Sequence, residues 1–251
     1  MNHHADATQA SPVNIICMKW GDKYGADYVN KLYGMVSRNL TIPFQMTCFT
    51  DDDEGITSQV NTQPLPSLDL PSDAPERGWN KLSTLQENLG GLTGEALFLD
   101  LDVVIVSNID ELFSFPAEFA IIKDEKLKRK KIGNSSVYRF RIGELQPILD
   151  KFRSNFTAIQ ATHRNEQAYL STEVNKLGKL KFWPEQWCPS FKYHCMYPWP
   201  LNYFLTAKIP PEAKVIIFHG HPDPDEAIAG ITTKWYRHVR PTKWIEQHWH
   251  D

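Results

Sequence analysis

The chain has 251 residues, 41% of them hydrophobic and 23% charged, with a formal net charge of -3, which is enough apolar material for a sizeable core. So balanced a charge gives no bulk electrostatic argument for nucleic-acid binding. No apolar run approaches the roughly 18 residues needed to span a bilayer, and the polar start MNHHADATQASP has no hydrophobic signal region, so a cytoplasmic protein is expected. Cys17, Cys48, Cys188 and Cys195 form no C-x-x-C pair, and no zinc site or disulfide framework is indicated.

Beyond a disordered start over residues 1–12, Val13 to Met18 (VNIICM) reads as the first strand. Tyr24, Tyr28, Leu32 and Val36 then recur every four residues, giving the apolar face of a helix that Asp22 is placed to cap. Phe44 to Phe49 (FQMTCF) is the second strand, ending in Thr50-Asp51-Asp52-Asp53. A β-α-β opening implies parallel strands, with ligands bound beyond their carboxyl ends; Lys19, Trp20, Asp51 and Asp100 then share one edge. No G-x-G-x-x-G follows the first strand and there is no P-loop. Residues 56–76, with Pro64, Pro66, Pro71 and Pro75, read as an irregular connection. Trp79, Leu82, Leu85 and Leu89 mark a second helix with Lys81 in its first turn, where a lysine is by default a solvated side chain.

Ala96 to Phe113, ALFLDLDVVIVSNIDELF, organises the rest. An apolar run of strand length, Ala96 to Leu99, leads into Asp100, Leu101 and Asp102, and a second run, Val103 to Val106, follows. In extended backbone residues i and i+2 share a face, so the two carboxylates project together while Leu101 points into the core. Two desolvated like charges call for a counter-charge. A divalent cation supplies it best, because manganese or magnesium takes hard oxygen ligands and retains positions for substrate phosphates. A bare D-x-D arises often by chance; its flanks of four apolar residues on either side set this one apart.

Downstream, Asn108 to Phe113 reads as a short helix and Phe119 to Ile122 as a strand. The charged run Lys123 to Lys131 is either a solvated loop or a clamp for an anionic acceptor. Gly133 to Ser136 form a small polar turn into the strand Val137 to Phe140. Leu145, Ile148, Leu149 and Phe152 line the next helix, and His163 to Leu170 forms another with Glu166 and Gln167 near its start. Lys181 to Pro200 is rich in Trp, Tyr and Pro. Val215 to Phe218 is a buried strand running into His219-Gly220-His221-Pro222, where imidazole is available to a metal.

Taken together these segments resemble the glycogenin-like, retaining nucleotide-sugar glycosyltransferases of the GT-A fold, family 8 and its bacterial relatives. The resemblance rests on Trp79-Asn80-Lys81-Leu82 followed by FLDLDVVIVSNIDELF, then on Asn134-Ser135-Ser136-Val137, Asn165-Glu166-Gln167-Ala168 and Phe218-His219-Gly220, all in the family's order. It implies a Rossmann-like α/β fold with a mixed, mainly parallel sheet flanked by helices over residues 13–222, and a tail over residues 223–251. It also implies a nucleotide-sugar donor, UDP-linked, and a manganese or magnesium ion held by Asp100 and Asp102 with His219, or alternatively His221, as third ligand. Lys19, Asp51, Lys81, Asp100, Asn134 and Ser135 would bind substrate, and Gln167, Glu166 and Asn134 would stand at the reacting centre.

There are departures. Ile217 stands where the family's metal-binding histidine often falls, Asp223 where a basic residue would meet the leaving phosphate, and Ser136 in place of a glycine. The expected acceptor is a glycan, a lipid-linked intermediate, a protein or a small molecule, and no nucleic-acid partner is expected. Two rivals are a haloacid-dehalogenase-like phosphatase, with Asp100 as nucleophile, and a nucleotide-sugar-binding protein that has lost activity. The tail, with Trp235, Tyr236, Arg237, His238, Arg240, Lys243, Trp244 and Trp249, either packs on the domain or touches the inner face of a membrane.

Overall fold

The computed structural model describes residues 11–70, 78–127, 129–232 and 234–251. Pro71, Pro75, nearly all of the expected disordered start and Lys128 of the charged run lie outside the described residues. Strand β1 (Val13–Lys19), helix α1 (Ala26–Asn39) and strand β2 (Phe44–Thr50) form the expected β-α-β unit, with β1 and β2 parallel and Ile15 opposite Met46. The N-cap of α1 is Gly25 with no side-chain cap, so Asp22 does not cap it.

The rest of the sheet comprises β3 (Asn61–Pro64), β4 (Glu95–Leu99), β6 (Phe119–Lys123), β7 (Gly133–Arg141) and β8 (Leu180–Phe182), while β5 (Val103–Ile105) lies outside it. The seven strands run in the order β3-β2-β1-β4-β7-β6-β8, parallel from β3 to β4, with β7 antiparallel to both β4 and β6. Strand β3 thus falls within the stretch expected to be irregular. Its sequence NTQP has no apolar residue, and it is held by the edge of β2 rather than by burial.

Alternation along the central strands feeds two cores. Ile15, Cys17, Leu97 and Leu99 face a layer containing α1 and the two-stranded ribbon of β5 and β9 (Val215–Ile217). Ile16, Met18, Ala96 and Phe98 face the opposite layer of Trp79, Leu82, Leu85 and Phe152. Because both faces are covered, these strands read as continuous apolar runs. The apolar run after the acid pair is therefore a strand of a different sheet, not a continuation of β4.

Helix α2 (Glu111–Ser114) follows the ribbon, and α3 (Gln146–Ser154), α4 (Phe156–Thr162) and α5 (Glu166–Lys176) cover the second face. The segment expected as a second helix is a 3-10 helix, Trp79–Leu85; tight winding suits so short a piece, and all four of its apolar markers, Leu89 included, are still buried. The residues read as a polar turn, Gly133 to Ser136, already belong to β7. A bulge between Ile121 and Ile122 of β6 accommodates them, and a Cβ on Gly133 would lie 2.7 Å from the Ile121 side chain, which would have to shift to admit it. At the C-terminal end α6 (Pro224–Ala229) and α7 (Trp244–His248) return to α1: Trp249 packs edge-on against Tyr28 at 4.9 Å, and Arg38 donates to the carbonyls of His248, His250 and Asp251. No helix among the described residues is long and apolar enough to cross a membrane.

Candidate active site

Beyond Leu99 the ladder with β7 continues one step, the Asp100 amide donating to the Ser136 carbonyl at 2.9 Å, before the chain turns away. That turn places the two acids in different company. Asp100 receives the Lys81 ammonium on both carboxylate oxygens, at 2.6 and 2.8 Å, with the Ser135 carbonyl 3.5 Å from the same nitrogen. Burial acts to lower the Lys81 pKa, but Asp100, Glu166 and Asp102 outweigh it and hold it above the ordinary lysine value. The solvated default for this lysine does not hold: its side chain is 15% exposed.

Asp102 is 8% exposed and, among the described residues, is in no salt bridge. Burial first, then Asp100, push its carboxyl up to about 7. Its oxygen Oδ2 lies 3.0 Å from the Tyr24 hydroxyl, which is also 3.3 Å from Oδ1 of Asp223, at the N-cap of α6. One hydroxyl proton thus serves two buried carboxylates. The Lys23 ammonium donates to the same hydroxyl and lies 3.7 Å from Asp223, but its side chain is 59% exposed and weakly placed to neutralise the pair. Positive charge is in deficit between Asp102 and Asp223, and the available donors are hard carboxylate oxygens. The residues present therefore fit a manganese or magnesium ion.

The start of α5 joins this group from the other side. Asn165 caps the helix, its side chain accepting from the Ala168 amide, which orients the next two side chains. Glu166, 7% exposed, accepts from the Ser135 hydroxyl at 2.7 Å. Gln167 accepts from the Ser135 amide at 3.3 Å and donates to Asp124 at 3.1 Å, so its amide is held from both ends. It lines a cavity of about 580 Å³ together with Asn134, Asp124, Tyr193 and His219. Asn134 folds its side chain back to accept from the Ser136 amide at 2.9 Å.

Two solved structures share this architecture across nearly the whole domain. A galactosyltransferase, LgtC, in complex with donor and acceptor sugar analogues superimposes with a TM-score of 0.58 at 14% identity, covering 84% of this chain and 88% of that one. Mouse xyloside xylosyltransferase 1 does so with a TM-score of 0.54 at 11% identity, covering 83% and 98%. The glycosyltransferase GlyE of Streptococcus pneumoniae TIGR4 matches with a TM-score of 0.61 at 9% identity over 94% of this chain, which spans 60% of that longer one. The fold is GT-A. No family model matches the chain, and no curated relative matches it.

Within the GT-A frame the other expected site residues are spread out. Lys19, 5% exposed, donates to the Asp52 carbonyl at 2.8 Å, and Asp51 accepts from the Gly21 amide at 3.0 Å, so both tie the ends of β1 and β2 to each other. His219 faces the cavity, with Nδ1 3.5 Å from the Ser190 hydroxyl and the ring stacked on Tyr193. Burial, Lys192 and Lys126 lower its pKa to about 4. His221 is exposed and paired with Glu226 at 2.8 Å, and His221, Asp223 and Glu226 bring ligand atoms within 4.8 Å of one another. Periodicity assigns Tyr24 only to the apolar face of a helix, whereas it lies just before α1, and it gives Lys192 no role. A tyrosine at i and i+4 on that face was the available signal: the Tyr28 hydroxyl likewise reaches an acid of α6, Asp225, at 3.0 Å.

Proposed function

We propose that this protein is a metal-dependent glycosyltransferase that moves a sugar from a nucleotide diphosphosugar, UDP-linked, to an acceptor hydroxyl with retention of configuration. The observation that carries this reading is the convergence of Asp100, Asp102, Lys81, Glu166 and Gln167 at the carboxyl ends of parallel strands in a GT-A fold. Asp100 and Asp102 would hold Mn²⁺ or Mg²⁺, with Asp223 favoured as third ligand over His219 or His221 because Asp223 already shares a proton donor with Asp102. When bound, the metal supplies positive charge to the diphosphate as the glycosidic bond breaks.

The chain's own residues do the rest. Lys81, kept protonated by three acids, orients Asp100 and offers its charge to the nucleotide sugar. Ser135 fixes Glu166 on the donor side, where its charge reaches Lys81, and steadies Gln167 on the cavity side. Gln167 and Asn134 then present amides where the sugar would lie between donor and acceptor. Buried side chains around the acid pair limit water, which favours transfer over hydrolysis. The phosphatase alternative gains no support from the matched structures, which are glycosyltransferases.

The testing experiment is calorimetric titration of UDP with manganese and with EDTA, repeated on Asp102→Ala. Binding that requires both the metal and Asp102, followed by transfer or hydrolysis of a UDP-sugar, is expected. Binding without turnover of any sugar donor would leave a nucleotide-sugar-binding protein. No binding of UDP or GDP under any condition overturns the reading.

A further inference from the structure

The cavity beside Gln167 has an electrostatic character that the acid pair does not explain. Its lining includes four cations, Lys123, Lys126, Lys130 and Arg164, but none of Lys81, Asp100 or Asp102. Lys126, Lys130 and Arg164 form no salt bridge among the described residues. The two acids of the lining are engaged elsewhere: Asp124 accepts from Gln167 and from the amides of Lys126 and Leu127, and Glu125 lies 3.4 Å from His194.

Two further cations stand beside the cavity. Lys192 donates to the carbonyls of His219 and Gly220, and Arg237 lies over the ring of Tyr193 at 5.7 Å. A cleft whose lining carries four cations against two carboxylates concentrates ligands of negative charge, and an uncharged sugar would leave that excess uncompensated.

We propose that this cavity is the acceptor site and that the acceptor is an anionic glycan, one that carries a carboxylate or phosphate close to the hydroxyl presented at Gln167. The assignment to an acceptor rests on the glycosyltransferase reading above. The preference for an anion rests only on the cavity. The diphosphate of the donor is not the anion in question, since the residues placed to meet it, Lys81 and the acid pair, lie outside the lining.

The experiment is ligand-observed NMR titration of the full chain, without nucleotide, using methyl β-D-glucuronide and glucose 6-phosphate against methyl β-D-glucoside. The anionic probes are expected to bind at least about tenfold more tightly, with affinity falling between about 50 and about 300 mM salt. The double variant Lys126→Ala/Lys130→Ala, at two exposed positions, is expected to remove the preference while UDP affinity in manganese stays within about twofold. Equal binding of the glucoside overturns the proposal, as does a double variant that retains the preference. So does inorganic phosphate that competes as well as the sugar anions, which would make this a phosphate site, or a parallel loss of UDP affinity, which would give these lysines to the nucleotide. Failure of the wild-type chain to bind UDP defeats the transferase reading instead, and the anion preference is scored separately because it is measured without donor. Of the two anionic probes, the tighter binder tells carboxylate from phosphate.

Discussion

Lys81 and Asp102 sit a few residues of contact apart and illustrate how neighbours set the state of a buried charge. Lys81 keeps its proton because three acids surround it, whereas Asp102 tends to regain one because burial, and then the neighbouring Asp100, disfavour its charge more than the Tyr24 hydroxyl stabilises it. Removing the lysine charge with Lys81→Met leaves the half-buried Asp100 without its cation. Allowing for partial exposure, we expect a loss of about 2 kcal/mol in urea denaturation and at least about a tenfold loss in UDP affinity. Stability and affinity both unchanged would show the pair to be incidental. The third ligand separates in the same way: Asp223→Asn should weaken Mn²⁺ binding, read by electron paramagnetic resonance, at least about tenfold, and His219→Ala much less. The reverse order would return the role to the histidine. Of these residues Asp100 and Asp102 were legible in the sequence, because acid directly after four apolar residues is unusual. Tyr24 was not, because the acids it bridges lie 78 and 199 residues away.

At the scale of elements, β1, α1, β2 and β4 could be read because burial on one or both faces prints a period onto the residues. Elements held by neighbours could not. Strand β3 is polar and exists through the edge of β2; Gly133 to Ser136 look like a turn but are kept extended by β6. Helix α4 passed unnoticed because Phe156 and Ile159 are its only buried apolar residues. Arg139 is the most consequential residue missed this way. It sits in the middle of β7, 2% exposed, and gives its guanidinium protons to the carbonyls of Leu112, Phe113, Phe115 and Ala117, at and beyond the end of α2. A cation at that end complements the helix dipole and satisfies carbonyls left without partners within the helix. Arg139→Met, which keeps most of the volume, should cost about 3 kcal/mol in denaturant unfolding, more than the core change Ile148→Val at about 1 kcal/mol. A cost below that of the core change would mean water replaces the guanidinium. Gly34 marks a second contact of this kind: a Cβ there would lie 2.4 Å from the backbone of Asp251, so Gly34→Ala should loosen the C-terminal segment from α1 despite its better helix propensity, read as faster amide exchange at residues 244–251.

For the whole molecule, the acid pair links metal, proton and stability. Between the ordinary carboxyl value of about 4 and about 7, the folded chain keeps a proton on Asp102 that the unfolded chain has released. The native state then binds more protons than the unfolded one, so this group's contribution to stability is full below about pH 4 and is lost as pH rises through about 7. A metal ion at the pair must displace that proton, and stabilisation by Mn²⁺ should therefore be small at about pH 5, grow as the pH approaches 7 and level off above it. The measurement is the shift in melting temperature with and without manganese across about pH 5 to about pH 8, for the wild type and for Asp102→Asn. In the variant, both the metal shift and the pH-dependent loss should shrink together, since one carboxylate underlies both. A manganese shift of equal size at every pH would mean that the ion binds a carboxylate held below its ordinary value, such as Glu226, and that Asp102 holds its proton for a reason other than metal.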